Sequence, residues 1–194
     1  MNDLKAFYAK TRKDWRKWLE KNHKKEKGVW LVMYRQDNAI PHVNYAEAVE
    51  EALCFGWIDS LKKKRDAESS IQFFSPRKPK SNWSSLNRQR AVKLIEQGSM
   101  TPAGQAMIDL AKKTGTWTAL EDVESITIPP DLEKLFKNNT KAFANFQAFP
   151  PSSKKIILLW ISSAKTPDTR RKRIKETVSL AKKNIRANHY QKKK

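Results

Sequence analysis

The sequence predicts an α+β protein: a small mixed three-stranded sheet with packed helices, followed by a C-terminal helical bundle lobe. Three observations lead there. Val29 to Tyr34 is a β-branched and aromatic run, nearly continuous in apolar character, and shorter runs of the same kind recur at Trp57–Leu61 and Ile71–Phe74. Apolar residues at helical spacing precede, separate and follow these strands. Beyond Pro129 only helical spacing remains. The organisation expected is an α/β lobe over 1–117, a polar and acidic linker over 118–127, a helical lobe over 128–188 and a basic tail over 189–194.

The first helix is set by Thr11 and Asp14, which make a capping box, and by Trp15, Trp18, Leu19 and Asn22 at helical spacing before Gly28. The strand from Val29 reads as covered on both faces, with Trp30 packing beside Trp57 and Trp83. The loop Gln36–Val43 contains Pro41 and His42, and that histidine reads as a loop residue. Asn44 caps the second helix, whose Ala48, Ala52 and Phe55 make a small-residue face while Glu47, Glu50 and Glu51 stay in water. Gly56 ends it. The second and third strands form a hairpin closed before Pro76, reached from the first strand by a crossover. Ser81 or Asn82 then caps a helix with Trp83, Leu86, Ala91, Leu94 and Ile95 on its buried arc, and Ser84 and Asn87 fall inside that arc with Asp59 as a candidate partner.

Still within the first lobe, Thr101 caps a helix with Pro102 at its first position and Gly115 at its end. In the second lobe, Pro129 and Pro130 open a short helix, Thr140 another, and Ser152 precedes Ile156–Ile161, which is apolar nearly all round and reads as a buried central helix. Thr166 and Pro167 open the last helix, with Ile174, Val178, Ala181 and Ile185 as a narrow apolar stripe. Arg170 lies on the stripe side, placed to reach a carboxylate or the end of a neighbouring helix.

Charge narrows the function classes. Forty Lys/Arg against twenty Asp/Glu give +20, and the excess is local. Residues 61–93 hold ten Lys/Arg against two Asp/Glu, and residues 165–194 hold twelve against two. Such segments concentrate near polyanions. The expected basic surface comprises Lys62, Lys63, Lys64, Arg65, Arg171, Lys172 and Arg173. The single cysteine, Cys54, excludes an internal disulfide framework and, at the C-terminal end of its helix, lacks the surroundings of a catalytic thiol. No apolar run approaches a membrane span and the N-terminal residues lack the apolar centre of a secretory signal, so a cytoplasmic protein is expected. His23, His42 and His189 are scattered, and no Cys/His/Asp spacing resembles a ligand set, so neither a metal nor another cofactor is expected.

One stretch is informative about binding. Arg77, Lys78 and Lys80 precede the expected helix at Ser81, whose first N–H groups have no intrahelical acceptors and carry partial positive charge, and Arg88 lies two turns in. An anion site follows, formed by Asp59, Arg77, Ser81, Trp83, Ser84, Asn87 and Arg88. The stretch PRKPKS lacks the glycines of a nucleotide-cradling loop.

These same residues carry a family resemblance. WRKWL (15–19), GVWL (28–31), YAEAVEEALCFGWIDS (45–60), FSPRKPKSNWSSLN (74–87) and GSMTPAG (98–104), with IPPDL (128–132), AFANF (142–146), PSSKK (151–155) and WISSAKTPDTRRKRI (160–174), resemble the YdeI or OmpD-associated family, also called the bacteriocin-protection family. The resemblance spans roughly residues 12–186. It implies a bacterial accessory protein linked to bacteriocin protection, envelope stress or antimicrobial-peptide resistance, with no active-site residues to carry over. The lysine-rich C-terminal end departs from that pattern. The preferred expectation is a non-enzymatic protein that binds an anionic small molecule or a protein partner. The alternative is a nucleic-acid-binding protein using segments 61–93 and 165–194, although the chain shows no finger, helix-turn-helix or RNP signature.

Overall fold

The computed structural model describes residues 6–35 and 39–189, so part of the expected loop Gln36–Val43 and most of the tail 189–194 lie outside the described residues. The chain divides into two compact units, Met1–Ala119 and Leu120–Lys194.

The first unit is built on four strands rather than three: β1 (Ala6–Phe7), β2 (Val29–Tyr34), β3 (Trp57–Lys64) and β4 (Ser69–Pro76), in the order β1-β2-β4-β3. The additional strand is two residues long and pairs parallel to β2, Ala6 opposite Trp30 and Phe7 opposite Leu31. It is too short for any periodicity to reveal it. The strand at Val29 does not neighbour the one at Trp57. Each pairs antiparallel with β4, which lies between them, as Val29 opposite Phe74 and Trp57 opposite Pro76 show.

Helices α1 (Arg12–Asn22) and α2 (Tyr45–Cys54) begin at capping boxes built by Thr11 with Asp14 and by Asn44 with Glu47. Each box satisfies two N–H groups that a helix start otherwise leaves open. Alternation along β2 sends Val29, Leu31 and Met33 to one face, where they meet Trp15 and Leu19 of α1, Val49 and Leu53 of α2, and Trp57 and Phe74 of the sheet. Trp15 stacks on Trp18 with ring centroids 5.2 Å apart, and its indole N–H donates to the Ala48 carbonyl at 3.0 Å. Trp30 takes the opposite face, against Phe73, while Trp57 meets Trp18 and Trp83 meets Trp117. The expected trio of Trp30, Trp57 and Trp83 is therefore not a cluster, because period-two geometry turns Trp30 away from the helices.

Glu51 also departs from its expected place in water. It is 3% exposed and lies between two arginines of α1, with Arg12 Nε at 2.6 Å and Arg16 Nη1 at 2.7 Å, while Arg12 also holds Glu50 at 2.8 Å. A buried carboxylate is tolerated when paired and hydrogen-bonded, and these bonds fix α2 on α1.

After β4 the loop leads to α3 (Ser85–Glu96), which starts later than expected. Ser84, not Ser81 or Asn82, is the N-cap and accepts from the Asn87 N–H at 3.3 Å. The later start leaves Trp83 outside the helix, and the buried arc is narrower than expected: Ala91 and Leu94 are buried, but Leu86 is 55% exposed and Ile95 40% exposed. Helix α4 (Pro102–Thr114) runs from the Thr101 cap to Gly115, whose φ of 73° is left-handed.

The second unit contains α5 (Glu121–Glu124), α6 (Pro130–Lys137), α7 (Thr140–Ala148), α8 (Pro151–Ser162) and α9 (Pro167–Lys182). Residues 118–127 are thus not irregular throughout: they include α5, and Val123 joins the second core with Leu132, Phe136, Phe146, Ile157 and Ile174. Helix α8 is not buried all round, since Ile157, Leu158 and Ile161 enter the core while Ile156 and Leu159 are 40% and 42% exposed. Along α9, Ile174, Val178 and Ala181 are buried, while Ile185, expected as the fourth residue of the stripe, lies beyond the helix end at Lys182 and is half-buried.

Arg170 reaches Asp131 in the first turn of α6 through two hydrogen bonds, 2.6 Å and 2.9 Å. Hydrogen bonding from this guanidinium holds the Asp131 carboxyl below the usual aspartate range. A lowered folded-state value gives stability that is present above the unfolded-state value and lost as pH falls through the folded one. Both partners are substantially solvated, so about 0.5–1 kcal/mol is expected. Asp131→Asn should lower the stability of this unit by that amount near pH 7 and flatten its acid limb below about pH 4, as read by denaturant titration at a series of pH values.

Candidate functional site

The expected anion site does not assemble as one pocket. Arg77 is 5% exposed and stacks on Trp83, its guanidinium carbon 4.0 Å from the ring centroid, with Nη2 donating to the Asn82 carbonyl. Nε and Nη1 are buried with no hydrogen-bond partner. Burial pushes this arginine down to about 10, against the opposing field of Asp59. Arg77 therefore closes the loop on Trp83 by a desolvated cation–π contact, while its backbone N–H ties the loop to the Gly56 carbonyl at 2.9 Å. Lys78 and Lys80 are exposed, and Ser81 sits in a turn closed by its N–H to the Lys78 carbonyl at 2.9 Å.

Ser84 is used in capping, and Asn87 Oδ1 accepts from Arg90 at 3.2 Å. These are the partners that buried polar groups need. Asp59 is the partner of neither; it accepts from Tyr45 and Gln72. Arg88 lines a separate cleft of about 450 Å³ with Ser85, Gln89, Lys93 and Trp117.

Asp59 lies instead in a cleft of about 480 Å³ on the core-facing side of the sheet, beyond the start of α2. Its position depends on an irregularity in β3. Asp59 pairs with Phe74 and Lys62 with Gln72, so β3 advances three residues while β4 advances two. One extra residue is accommodated at Ser60–Leu61, a β-bulge. In a regular strand positions 59 and 62 would face opposite sides; the bulge returns them to the same side, and both line the cleft. Leu61 is left 61% exposed.

The floor of the cleft is polar and directional. Tyr45 Oη donates to Asp59 Oδ2 at 2.7 Å, and Gln72 Nε2 approaches the same oxygen at 3.4 Å. Partial burial, reinforced by the hydrogen bond and charge of Asp59, pushes Tyr45 up to about 12, so its hydroxyl stays protonated at neutral pH. Arg35 and Lys62 bring positive charge to the lining, Asn44 and Ser70 add amide and hydroxyl groups, and His42 lines it from the loop, its ring 5.9 Å from Tyr34. Tyr45 opens the stretch YAEAVEEALCFGWIDS but nothing in that stretch marks it as a site residue, and Gln72 lies outside every stretch that carries the resemblance. Alternation does mark Gln72 as facing the same side as Phe74, and a polar residue there is the one cue the sequence offers.

The expected basic surface is only partly a free surface. Lys62, Lys63, Lys64 and Arg65 are exposed along the β3–β4 hairpin, whose turn Asp66 fastens by accepting from the Ser69 N–H at 2.7 Å. Lys172 is exposed and Arg171 pairs with Asp168. Arg173 is engaged in architecture: it donates to the Trp160 carbonyl and to Ser163 Oγ at 3.0 Å, closing the C-terminal end of α8. Segment 61–93 belongs to the first unit and 165–194 to the second.

The features of a reactive thiol or a metal centre are not what these residues display. Cys54 is fully buried, and burial with the charge of Glu51 pushes its thiol up to about 11. Among the described residues no group of three or more His, Cys, Asp or Glu is placed to hold a metal ion, and no helix is long and apolar enough to cross a membrane.

Comparison with known families gives two matches. A model described as a domain of unknown function (DUF8412) matches residues 7–107. A second, described as bacteriocin-protection, YdeI or OmpD-associated, matches residues 125–184. No curated protein and no solved structure matches the chain.

Proposed function

The chain belongs to the DUF8412 family through its first unit and carries a bacteriocin-protection, YdeI or OmpD-associated domain in its second, and from that membership we propose an accessory binding protein. It acts in the cytoplasm in bacteriocin protection or envelope stress, by holding an anionic ligand or partner in the cleft beside α2. The observation that carries this reading is the β3 bulge, which sets Lys62 beside Asp59 on one side of the sheet. Asp59 is occupied by the Tyr45 hydroxyl and the Ser70 hydroxyl is turned to the Met33 carbonyl, which leaves Lys62, the Asn44 amide and the Ser60 hydroxyl as donors for an incoming anion. The surplus of positive charge raises the encounter rate for such a ligand.

The test is a titration of the labelled protein followed by amide NMR, using inorganic phosphate, citrate and a mononucleotide in turn. Saturable shifts at Tyr45, Asp59, Lys62 and Gln72 are expected with at least one of them. Lys62→Ala should weaken that ligand about fivefold, the equivalent of roughly 1 kcal/mol for a solvated charge-assisted contact. Shifts confined to the lysines of α9, or linear and unsaturated everywhere, would reject the cleft.

A further inference from the structure

The sheet has a second face, which the cleft touches only at its Tyr34 end. Trp30, Val32 and Tyr34 project there, opposite to Val29, Leu31 and Met33, and their cross-strand partners Phe73, Ile71 and Ser69 project with them. Beyond the bulge, Lys63 stands opposite Ile71 on the same side. Among the described residues, Trp30, Val32, Ile71 and Phe73 belong to neither apolar core. Trp30, Ile71 and Phe73 are half-buried, and Val32 in their midst is 3% exposed. The Trp30 and Phe73 rings are 5.0 Å apart on adjacent strands, and the Lys63 ammonium lies 5.0 Å from the Trp30 centroid. Lys63 and Trp30 are on strands separated by β4, so the lysine stem crosses the face at Ile71 to reach the indole.

We propose that this outer face binds single-stranded nucleic acid, with bases stacking on Trp30 and Phe73 and phosphates held by Lys63 and the neighbouring cations of the hairpin. Two aromatic rings on neighbouring strands offer π surfaces to successive bases, a contact open to unpaired strands and closed to a duplex, whose base faces are already stacked. The charge is complementary: Lys63 stands on this face, and Arg65, exposed and two residues further along the hairpin, follows it on the same side. The Lys63 ammonium lies over the Trp30 ring, so a base that stacks there displaces it to the ring's edge, where the phosphate of that nucleotide would lie. The surface lies on the side of the sheet opposite the cleft and does not depend on it.

The experiment is fluorescence anisotropy of the full chain with labelled dT12, rU12 and a DNA duplex of equal length, at salt from 50 to 200 mM. The single strands should bind more tightly than the duplex, and the two of them separate a DNA from an RNA preference. Trp30→Leu and Phe73→Leu, which keep the face apolar, should each weaken binding about tenfold, since stacking on one base is worth about 1–3 kcal/mol. Lys63→Ala should reduce the slope of log affinity against log salt by about 0.7, as for one phosphate contact on a single strand. Circular dichroism melts establish that the variants fold. Equal binding of duplex and single strand overturns the proposal, as does an affinity untouched by either leucine variant. So does an absence of binding at 50 mM salt, including the case in which sedimentation shows a dimer that Trp30→Leu disperses, which would assign the face to a second copy of the chain.

Discussion

Phe146→Ala is expected to unfold the second unit and leave the first one folded. Phe146 is fully buried on α7, its ring 5.1 Å from Phe136 and 6.2 Å from Phe149. Truncating a phenylalanine in such a site costs about 3–5 kcal/mol, the sum of lost transfer energy and the cavity left behind. The unit spans Leu120–Lys194, a size at which one core rarely supplies more than about 3–5 kcal/mol in total. The loss therefore consumes the whole margin. The seven tryptophans make the result readable, because Trp160 alone lies in this unit. Its indole N–H resonance should collapse to an unfolded position while those of Trp15, Trp57 and Trp83 hold. A cooperative loss of all seven would show that the two units fold as one.

Gly104→Ala should destabilise the first unit by about 1–3 kcal/mol, the range for forcing an extra carbon into a packed site. A Cβ at Gly104 would stand 2.4 Å from the Cys54 carbonyl oxygen and 2.6 Å from that of Leu53, both backbone atoms that cannot rotate away. The helices α2 and α4 would have to separate, weakening the bonds from Thr101 Oγ1 and N–H to that same Cys54 carbonyl, 2.5 Å and 3.2 Å long. Gly115→Ala is the control. It meets no atom within 4 Å but holds φ at 73°, so its cost is conformational, about 1 kcal/mol. Chemical denaturation of the two variants should rank Gly104 first; the reverse order would mean that the α2–α4 contact yields without strain.

The parts of the fold that were legible in the sequence are those fixed by neighbours in the chain. The capping box at Thr11, the Asn44 cap, and the Thr101 and Thr166 caps with proline after each, depend on residues within four positions of one another. Arg170 was legible as an inward-reaching residue, and it meets Asp131. The start of α3 was missed because SNWSS offers several capping residues in a row, and only the burial of Trp83 against Trp117 selects Ser84. Glu51 was missed because its partners, Arg12 and Arg16, are more than thirty residues away.

The candidate site shows the same division. Local pattern alone determined an α+β chain with a helical second unit, its caps, and a hairpin carrying a run of lysines. Tertiary structure decided which of the cationic and polar residues meet. It buried Arg77 under Trp83, set Ser84 to capping, and through one inserted residue in β3 turned Asp59 and Lys62 to the same side while sending Lys63 to the face of Trp30. The physical reason is that a strand's side chains alternate with a period of two, so a single bulge reverses the facing of everything beyond it. Where that bulge falls is set by pairing with β4, a relation between strands that no stretch of β3 contains by itself.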